Sequence, residues 1–293
     1  MNARDIVSLM RPRQWTKNLA VFAAMVFSGQ LFDLPTLGTV VLAFVALCLV
    51  SSGQYAINDA LDAEKDRQHP LKRDRPVASG RITRTSAFAI AAVLITVGLA
   101  LSAWLSITFL AAVLGYVGLQ VLYALWLKNI SIVDMLVIAM GFTIRAIAGA
   151  LVISVPVSPW LVLCTGLLAL FLAAAKRRHE LVLLGEVASR HRPVLAEYSA
   201  ELLDSFMVTL SAATVTSYAL YTFFEARAPG DSMMLTIPFV IYGVLRYQYL
   251  VLRKEGGGRP EDVLLGDRPM MIDIALWAVL AVIALYVLPG LIA

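Results

Sequence analysis

The chain has 293 residues, 60% of them hydrophobic and 15% charged, and its mean hydropathy is +0.80. Apolar runs of membrane-spanning length recur along it, which excludes a soluble globular core and predicts an all-α, polytopic membrane helical bundle. The net charge of +4 does not point to a nucleic-acid partner, because the basic residues are distributed as a membrane-topology signal.

In chain order, about nine spans are expected by the apolar-run criterion: 15–33, 36–57, 86–107, 109–127, 131–153, 158–175, 205–225, 234–252 and 270–290. The first is the least uniform, and the third and fourth are joined by almost nothing. Residues 1–10 carry Arg4 and Asp5 and no apolar core, so no cleavable signal peptide is expected. Residues 1–293 read as one domain, with polar loops near 58–85, 176–204 and 253–269. Placing the N-terminus inside gathers every Lys and Arg except Arg145, Arg227 and Arg246 onto inner loops and span ends. By the positive-inside rule this predicts a protein of the cytoplasmic (inner) membrane whose long loops, and any site they form, face the cytoplasm. Cys48 and Cys164 lie within apolar runs and read as packing residues.

After the second span, Asp59, Asp62, Glu64 and Asp66 arrive within eight positions. On a continuing helix Asn58, Asp62 and Asp66 recur at i, i+4 and i+8, with neighbouring side chains roughly 6 Å apart. Carboxylates held that close repel one another unless a cation joins them. A hard divalent ion bridging to a phosphorylated substrate is the economical explanation, with Asn58, Asp62 and Asp66 as its ligands. The basic cluster Lys72-Arg73-Asp74-Arg75 suits the outer oxygens of a metal-bound diphosphate. The alternative is a solvated loop of mixed charge, but helical spacing at an intramembrane edge favours the metal.

The second inner loop opens with Lys176-Arg177-Arg178-His179-Glu180 and continues through Glu186, Arg190, Arg192 and Tyr198. It is either a positive-inside anchor or a set of phosphate-binding cations with Glu180 one turn beyond them. The third, Glu255 to Asp262, contains Gly256-Gly257-Gly258 and serves as a hinge or lid, or supplies Asp262 as a further metal ligand. His69, His179 and His191 lack metal-ligand spacing and read as solvated. Within the fifth span, Asp134 and Arg145 share a face but lie about 16 Å apart along the axis, so each must meet another partner. Arg246, flanked by Tyr242 and Tyr249, poses the same question. Interhelical ion pairs and phosphate recognition both answer it.

Several ordered motifs carry a family resemblance. They are Arg11-Pro12-Arg13-Gln14-Trp15-Thr16-Lys17-Asn18, Asn58 to Asp66, and His69-Pro70-x-Lys72-Arg73-x-Arg75-Pro76. Further on come Tyr123 to Lys128 with Asp134, Gly141-Phe142-x-x-Arg145-Ala146, Lys176-Arg177-x-x-Glu180-Leu181, and Arg246-Tyr247 with Pro260-Glu261-Asp262. Together they resemble the UbiA superfamily of intramembrane prenyltransferases, and within it the polyprenyl-phosphate (decaprenyl-phosphate) phosphoribosyltransferase branch. The resemblance implies transfer of 5-phosphoribose from phosphoribosyl pyrophosphate to a polyprenyl phosphate, with Mg²⁺ as cofactor and pyrophosphate as leaving group. It places Asp59, Asp62 and Asp66 at the reaction centre. Substrate binding falls to Lys17, Asn18, Lys72, Arg73, Arg75, Tyr123, Lys128, Asp134, Arg145, Lys176, Arg177, Glu180, Tyr198 and Arg246.

Aromatic-acceptor members of the superfamily carry a second aspartate-rich motif after the sixth span, where this chain has Lys176-Arg177-Arg178. That departure suits a donor and an acceptor that are both phosphorylated. Two alternatives stand beside this reading: a prenyltransferase acting on an aromatic acceptor, and a lipid or solute transporter built around the intramembrane charges. The second predicts internal repeats with paired broken helices, and no convincing repeat is present.

Overall fold

The structure, a computed structural model, describes residues 2–68, 72–185, 193–224, 228–253 and 260–292. Every regular element among them is helical. A short helix α1 (Ala3–Met10) leads into a 3-10 segment (Pro12–Phe22) and α2 (Ala23–Phe27). Then come α3 (Leu34–Leu61), α4 (Ala63–Arg67), α5 (Arg84–Leu105), α6 (Ile107–Leu125), α7 (Val133–Val152) and α8 (Pro159–Leu184). The remainder is α9 (Ala200–Phe224), α10 (Ile237–Arg253, entered through the 3-10 turn Pro229–Thr236), α11 (Pro260–Gly266) and α12 (Arg268–Val282). The chain closes with a π segment (Ile283–Val287) and α13 (Leu288–Ile292).

Eight helical stretches among the described residues are long and apolar enough to cross a membrane. They correspond to eight of the expected spans. The remaining one, 15–33, is the irregular 3-10 segment followed by α2. Eleven residues of 3-10 geometry are unusual, because its hydrogen bonds are poorer than those of an α-helix. Here side chains and close packing hold the segment in place. Trp15 Nε1 donates to Ser52 Oγ at 3.0 Å, and Asn18 Nδ2 donates to Ser51 Oγ at 3.3 Å. Gly149 of α7 lets the segment lie directly on that helix: a Cβ there would fall 2.0 Å from the Val21 carbonyl oxygen.

The boundaries follow from local chemistry. Asp33 caps α3, accepting from Thr36 N at 3.0 Å, and these Thr36 hydrogen bonds hold its carboxyl below the ordinary carboxylate range. Thr83 caps α5 through Ser86 N at 3.1 Å. Asp267 caps α12 through Met270 N at 3.0 Å. Ser106 alone separates α5 from α6, with extended backbone at φ −169°. Successive spans pack against one another and run antiparallel. The C-terminal ends of α3, α6, α8 and α10 therefore share one end of the bundle with the N-terminal ends of α5, α7, α9 and α12. The described parts of the three polar loops lie at that end.

Two of the buried apolar clusters are the most extensive. One joins α3, α6, α7 and the 3-10 segment through Val21, Leu47, Val50, Phe109 and Val113. The other joins α8, α9 and α10 through Phe171, Leu203, Met207, Tyr247 and Val251. The face-to-face contact of α3 with α5 is close enough that a Cβ on Gly98 would meet Val50 Cγ2 at 2.7 Å.

Candidate active site

The acid-rich segment keeps its helical hydrogen bonds but not a continuous helix. Asp62 N donates to Asn58 O at 2.9 Å and Asp66 N to Asp62 O at 2.8 Å, while Asp62 itself leaves helical geometry (φ −89°, ψ 4°). The expected face of Asn58, Asp62 and Asp66 is thereby divided. Asn58 and Asp62 are exposed, whereas Asp59 and Asp66 are buried. Asp66 stands seven residues beyond Asp59 as well as eight beyond Asn58, and both spacings return to one helix face. The buried pairing uses the first.

Two arginines meet the buried pair. Arg75 Nη1 donates to Asp66 Oδ2 at 2.6 Å and to Asp59 Oδ1 at 3.2 Å. Arg11 Nη2 donates to the same Asp59 oxygen. Arg11 sits at φ 53°, a left-handed conformation that turns the chain from α1 into the 3-10 segment. The loop carrying Arg75 is pinned in turn: Arg81 Nε donates to Asp5 Oδ1 at 2.9 Å and Arg67 Nε to Ala78 O at 2.9 Å. Asp59 is thus a neutralised, fixed carboxylate and not a free one. Lys72 is half-buried and Arg73 exposed on the same loop.

The second constellation gathers five of the expected residues into one hydrogen-bonded unit. Arg177 is fully buried, and its Nε donates to Asp134 Oδ2 at 2.5 Å. Its Nη1 donates to Glu180 Oε2 at 2.7 Å and its Nη2 to the Tyr123 hydroxyl at 3.2 Å. The Tyr198 hydroxyl donates to Asp134 Oδ1 at 2.9 Å and accepts from Ile132 N at 2.5 Å. Ile132 has φ 68°, a costly conformation for a β-branched residue, and the Tyr198 contact holds it at the start of α7. Burial pushes the Tyr198 phenol up to about 12, so it keeps the proton it donates. Expected as a phosphate ligand, Arg177 is instead committed to carboxylates. Lys176, one residue earlier on the continuous helix α8, is half-buried and lies 4.0 Å from Glu180.

Arg145 is buried without a carboxylate partner among the described residues. Its donors go to Asn18 Oδ1 (2.8 Å), Gly141 O (2.8 Å) and the Tyr116 hydroxyl (2.7 Å), and its guanidinium lies 4.4 Å from the Tyr116 ring centroid. Asn18 in turn donates to Ser51 and Cys48. The fork of Arg145 therefore ties the 3-10 segment, which carries Lys17, to α7. An apolar groove lined by Ala111, Gly115, Ile144 and Leu151 opens between α6 and α7 at the same depth. Arg246 forms an interhelical pair with Asp267 through bonds of 3.1 and 2.9 Å. Lys128, half-buried after α6, has no carboxylate within salt-bridge distance among the described residues.

Asn58, Asp62 and Asp66 offer the hard oxygen donors that Mg²⁺ prefers. No three His, Cys, Asp or Glu form a ready-made cage among the described residues, and exposed Asp262 of α11 does not complete one. Mg²⁺ takes one or two protein carboxylates together with substrate phosphates, so this donor set fits it. The residues named at His69, Glu186, Arg190, His191, Arg192 and Gly256 to Gly258, and the side chain of Glu261, lie outside the described residues. The role of Arg11 has no signal in the sequence beyond its place before Pro12, which disfavours helix at that position. The Tyr116 and Ser51 contacts had no sequence signal beyond polarity within an apolar run.

The model of the UbiA prenyltransferase family matches residues 19–260, and the chain belongs to that family. With its apolar helices, this makes it an integral membrane protein. It is 38% identical over 290 residues to the decaprenyl-phosphate phosphoribosyltransferase of Mycolicibacterium smegmatis, covering 93% of this chain and 89% of that one. The protein of the same name from Corynebacterium glutamicum is 33% identical over 296 residues, covering 98% and 88%. Among solved structures, a UbiA homolog from Archaeoglobus fulgidus bound to GPP and Mg²⁺ superposes with a TM-score of 0.73 at 19% identity, over 96% of this chain and 99% of that one. That likeness confirms the all-helical bundle.

Proposed function

We propose that this protein transfers 5-phosphoribose from phosphoribosyl pyrophosphate to a polyprenyl phosphate, releasing pyrophosphate. The observation that carries the reading is the match, over nearly the whole chain, to proteins named decaprenyl-phosphate phosphoribosyltransferase. The geometry agrees with it. Glu180 of the second loop and Asp134 of α7 are paired with Arg177, whereas Asn58 and Asp62 present exposed oxygen donors at the first loop. One metal-binding face surrounded by cations suits two phosphorylated substrates.

Asn58, Asp62 and Asp66 would hold Mg²⁺. When bound, it neutralises charge building on the departing pyrophosphate. The bond from ribose C1 to the pyrophosphate oxygen breaks as a phosphate oxygen of the lipid bonds to C1. That oxygen is already anionic at neutral pH, so no general base is needed. The remaining work is to bring two anions together, and Lys17, Lys72, Arg73, Lys128 and Lys176 supply the positive charge. Asp59, held by Arg11 and Arg75, fixes the loop; Asp134, Arg177, Glu180, Tyr123 and Tyr198 fix the end of α8 and Lys176 with it. Arg145 and Asn18 act at one remove, by orienting the segment that bears Lys17. The whole chain serves as one domain in the cytoplasmic membrane, N-terminus inside, with the site open to cytoplasmic donor and the prenyl tail leaving sideways into lipid.

Separate incubations of membranes containing the protein decide the donor. Phosphoribosyl pyrophosphate with a polyprenyl phosphate should release pyrophosphate. Release only from a prenyl diphosphate with an aromatic acid would move the protein to the aromatic-acceptor class.

A further inference from the structure

Arg75 occupies an unusual position in this site. A single guanidinium nitrogen spans Asp59 and Asp66, at 3.2 and 2.6 Å, and Asp66 is a proposed metal ligand. Asp66 is buried, so its charge needs a counter-ion at all times. Asp59 already has a second one in Arg11 and can release Arg75 without being stranded. Asp66 has no other cation among the described residues and can release Arg75 only to a replacement. The Arg75 side chain is 28% exposed, while its backbone is fixed by Arg75 N to Lys72 O at 3.0 Å and Ser79 N to Arg75 O at 2.9 Å. The side chain can therefore move while its loop stays.

We infer that Arg75 is an exchangeable counter-ion: it neutralises Asp66 in the unloaded protein and passes to the donor's diphosphate when a divalent cation takes Asp66. Arg75 and the cation repel one another at the shared carboxylate, so metal alone binds against Arg75. With donor present the displaced guanidinium finds a phosphate fork that matches its own, and metal and donor favour each other. Arg75 is thus a positioning residue that couples two binding events. This rests on the metal site proposed above.

The test measures Mn²⁺ binding to the full-length protein in detergent, without lipid acceptor, by electron paramagnetic resonance, after the melting of each variant is recorded. Arg75→Gln should bind Mn²⁺ alone at least about tenfold more tightly than wild type, and at saturating Mn²⁺ bind phosphoribosyl pyrophosphate at least about tenfold more weakly. These opposite signs separate exchange from a structural role, which weakens both, and from simple phosphate binding, which leaves Mn²⁺ alone unchanged. Either of those outcomes overturns the inference. If Arg75→Gln does not fold, Arg75→Lys carries the test. It keeps the charge and loses the fork, so Mn²⁺ affinity stays at the wild-type value while donor affinity falls at least about fivefold; weakened Mn²⁺ binding or unchanged donor binding contradicts exchange. Asp62→Asn guards the underlying reading. If it leaves Mn²⁺ binding intact, the metal site itself is misplaced; if it abolishes binding while Arg75→Gln changes nothing, the exchange alone fails.

Discussion

Asp134 and Arg177 form an ion pair sealed inside the bundle, with 2.5 Å between Oδ2 and Nε and side-chain exposures of 0% and 1%. Forty-three residues separate them in sequence. The pair fastens the start of α7 to the end of α8, and Tyr123 of α6 and Tyr198 join it there.

Removing one partner strands a buried charge, which costs about 3–5 kcal/mol. Arg177→Ala and Asp134→Ala should each lower the melting temperature sharply in detergent or prevent recovery of folded protein. The double substitution Asp134→Leu with Arg177→Met should recover much of the lost stability. Were Arg177 a free phosphate ligand, Arg177→Ala would instead melt like wild type and lose only donor affinity.

Tyr198→Phe removes both the donor to Asp134 and the acceptor for Ile132 N. Leaving the buried Asp134 oxygen and the Ile132 N–H without this partner costs about 1–3 kcal/mol. The pH dependence has a definite sign. Burial raises the phenol from 10.0 to about 12 in the folded protein. The folded state therefore keeps a proton that the unfolded state gives up, and the contribution is complete below pH 10 and lost as pH climbs towards 12. Melting curves from pH 8 to 12 should show this loss in wild type and a smaller one in Tyr198→Phe.

Gly149→Ala puts a Cβ 2.0 Å from the Val21 carbonyl oxygen and 2.8 Å from its carbon. Such a backbone contact cannot be relieved by a side-chain rotation. A loss of about 1–3 kcal/mol follows, together with reduced turnover, because the displaced segment carries Lys17 and Asn18. Gly118→Ala on α6 meets nothing within 4 Å and should be neutral or stabilising by about 0.5–1 kcal/mol. Comparing the two in melting and activity assays separates the tight contact from a general intolerance of alanine.

Much of this arrangement was legible in the sequence because hydropathy and charge act locally. Eight spans and the acid-rich end of α3 follow from runs and spacings a single helix can express. What each charge touches does not. Lys176, Arg177 and Arg178 are adjacent, and only the phase of α8 against α7 and α9 sends Arg177 to Asp134 and Arg178 to Asp204, at 2.5 Å. Arg246 likewise finds Asp267, the residue that caps α12. The 3-10 form of the first span depends on Gly149, more than a hundred residues away, so no local pattern announces it. Asp59 and Asp66 share a face as well as Asn58, Asp62 and Asp66 do; the choice between those stripes is made by Arg11 and Arg75.

The central claim is the transfer itself. The direct measurement supplies ribose-labelled phosphoribosyl pyrophosphate and a polyprenyl phosphate to the purified protein with Mg²⁺ and follows the label into the lipid-extractable fraction. Label should enter the lipid with equimolar pyrophosphate release, stop on chelation of the metal, and fall at least about a hundredfold in Asp62→Asn and Asp66→Asn. Label that stays in the aqueous phase with wild-type protein, or that enters lipid equally well in both variants, would contradict the account.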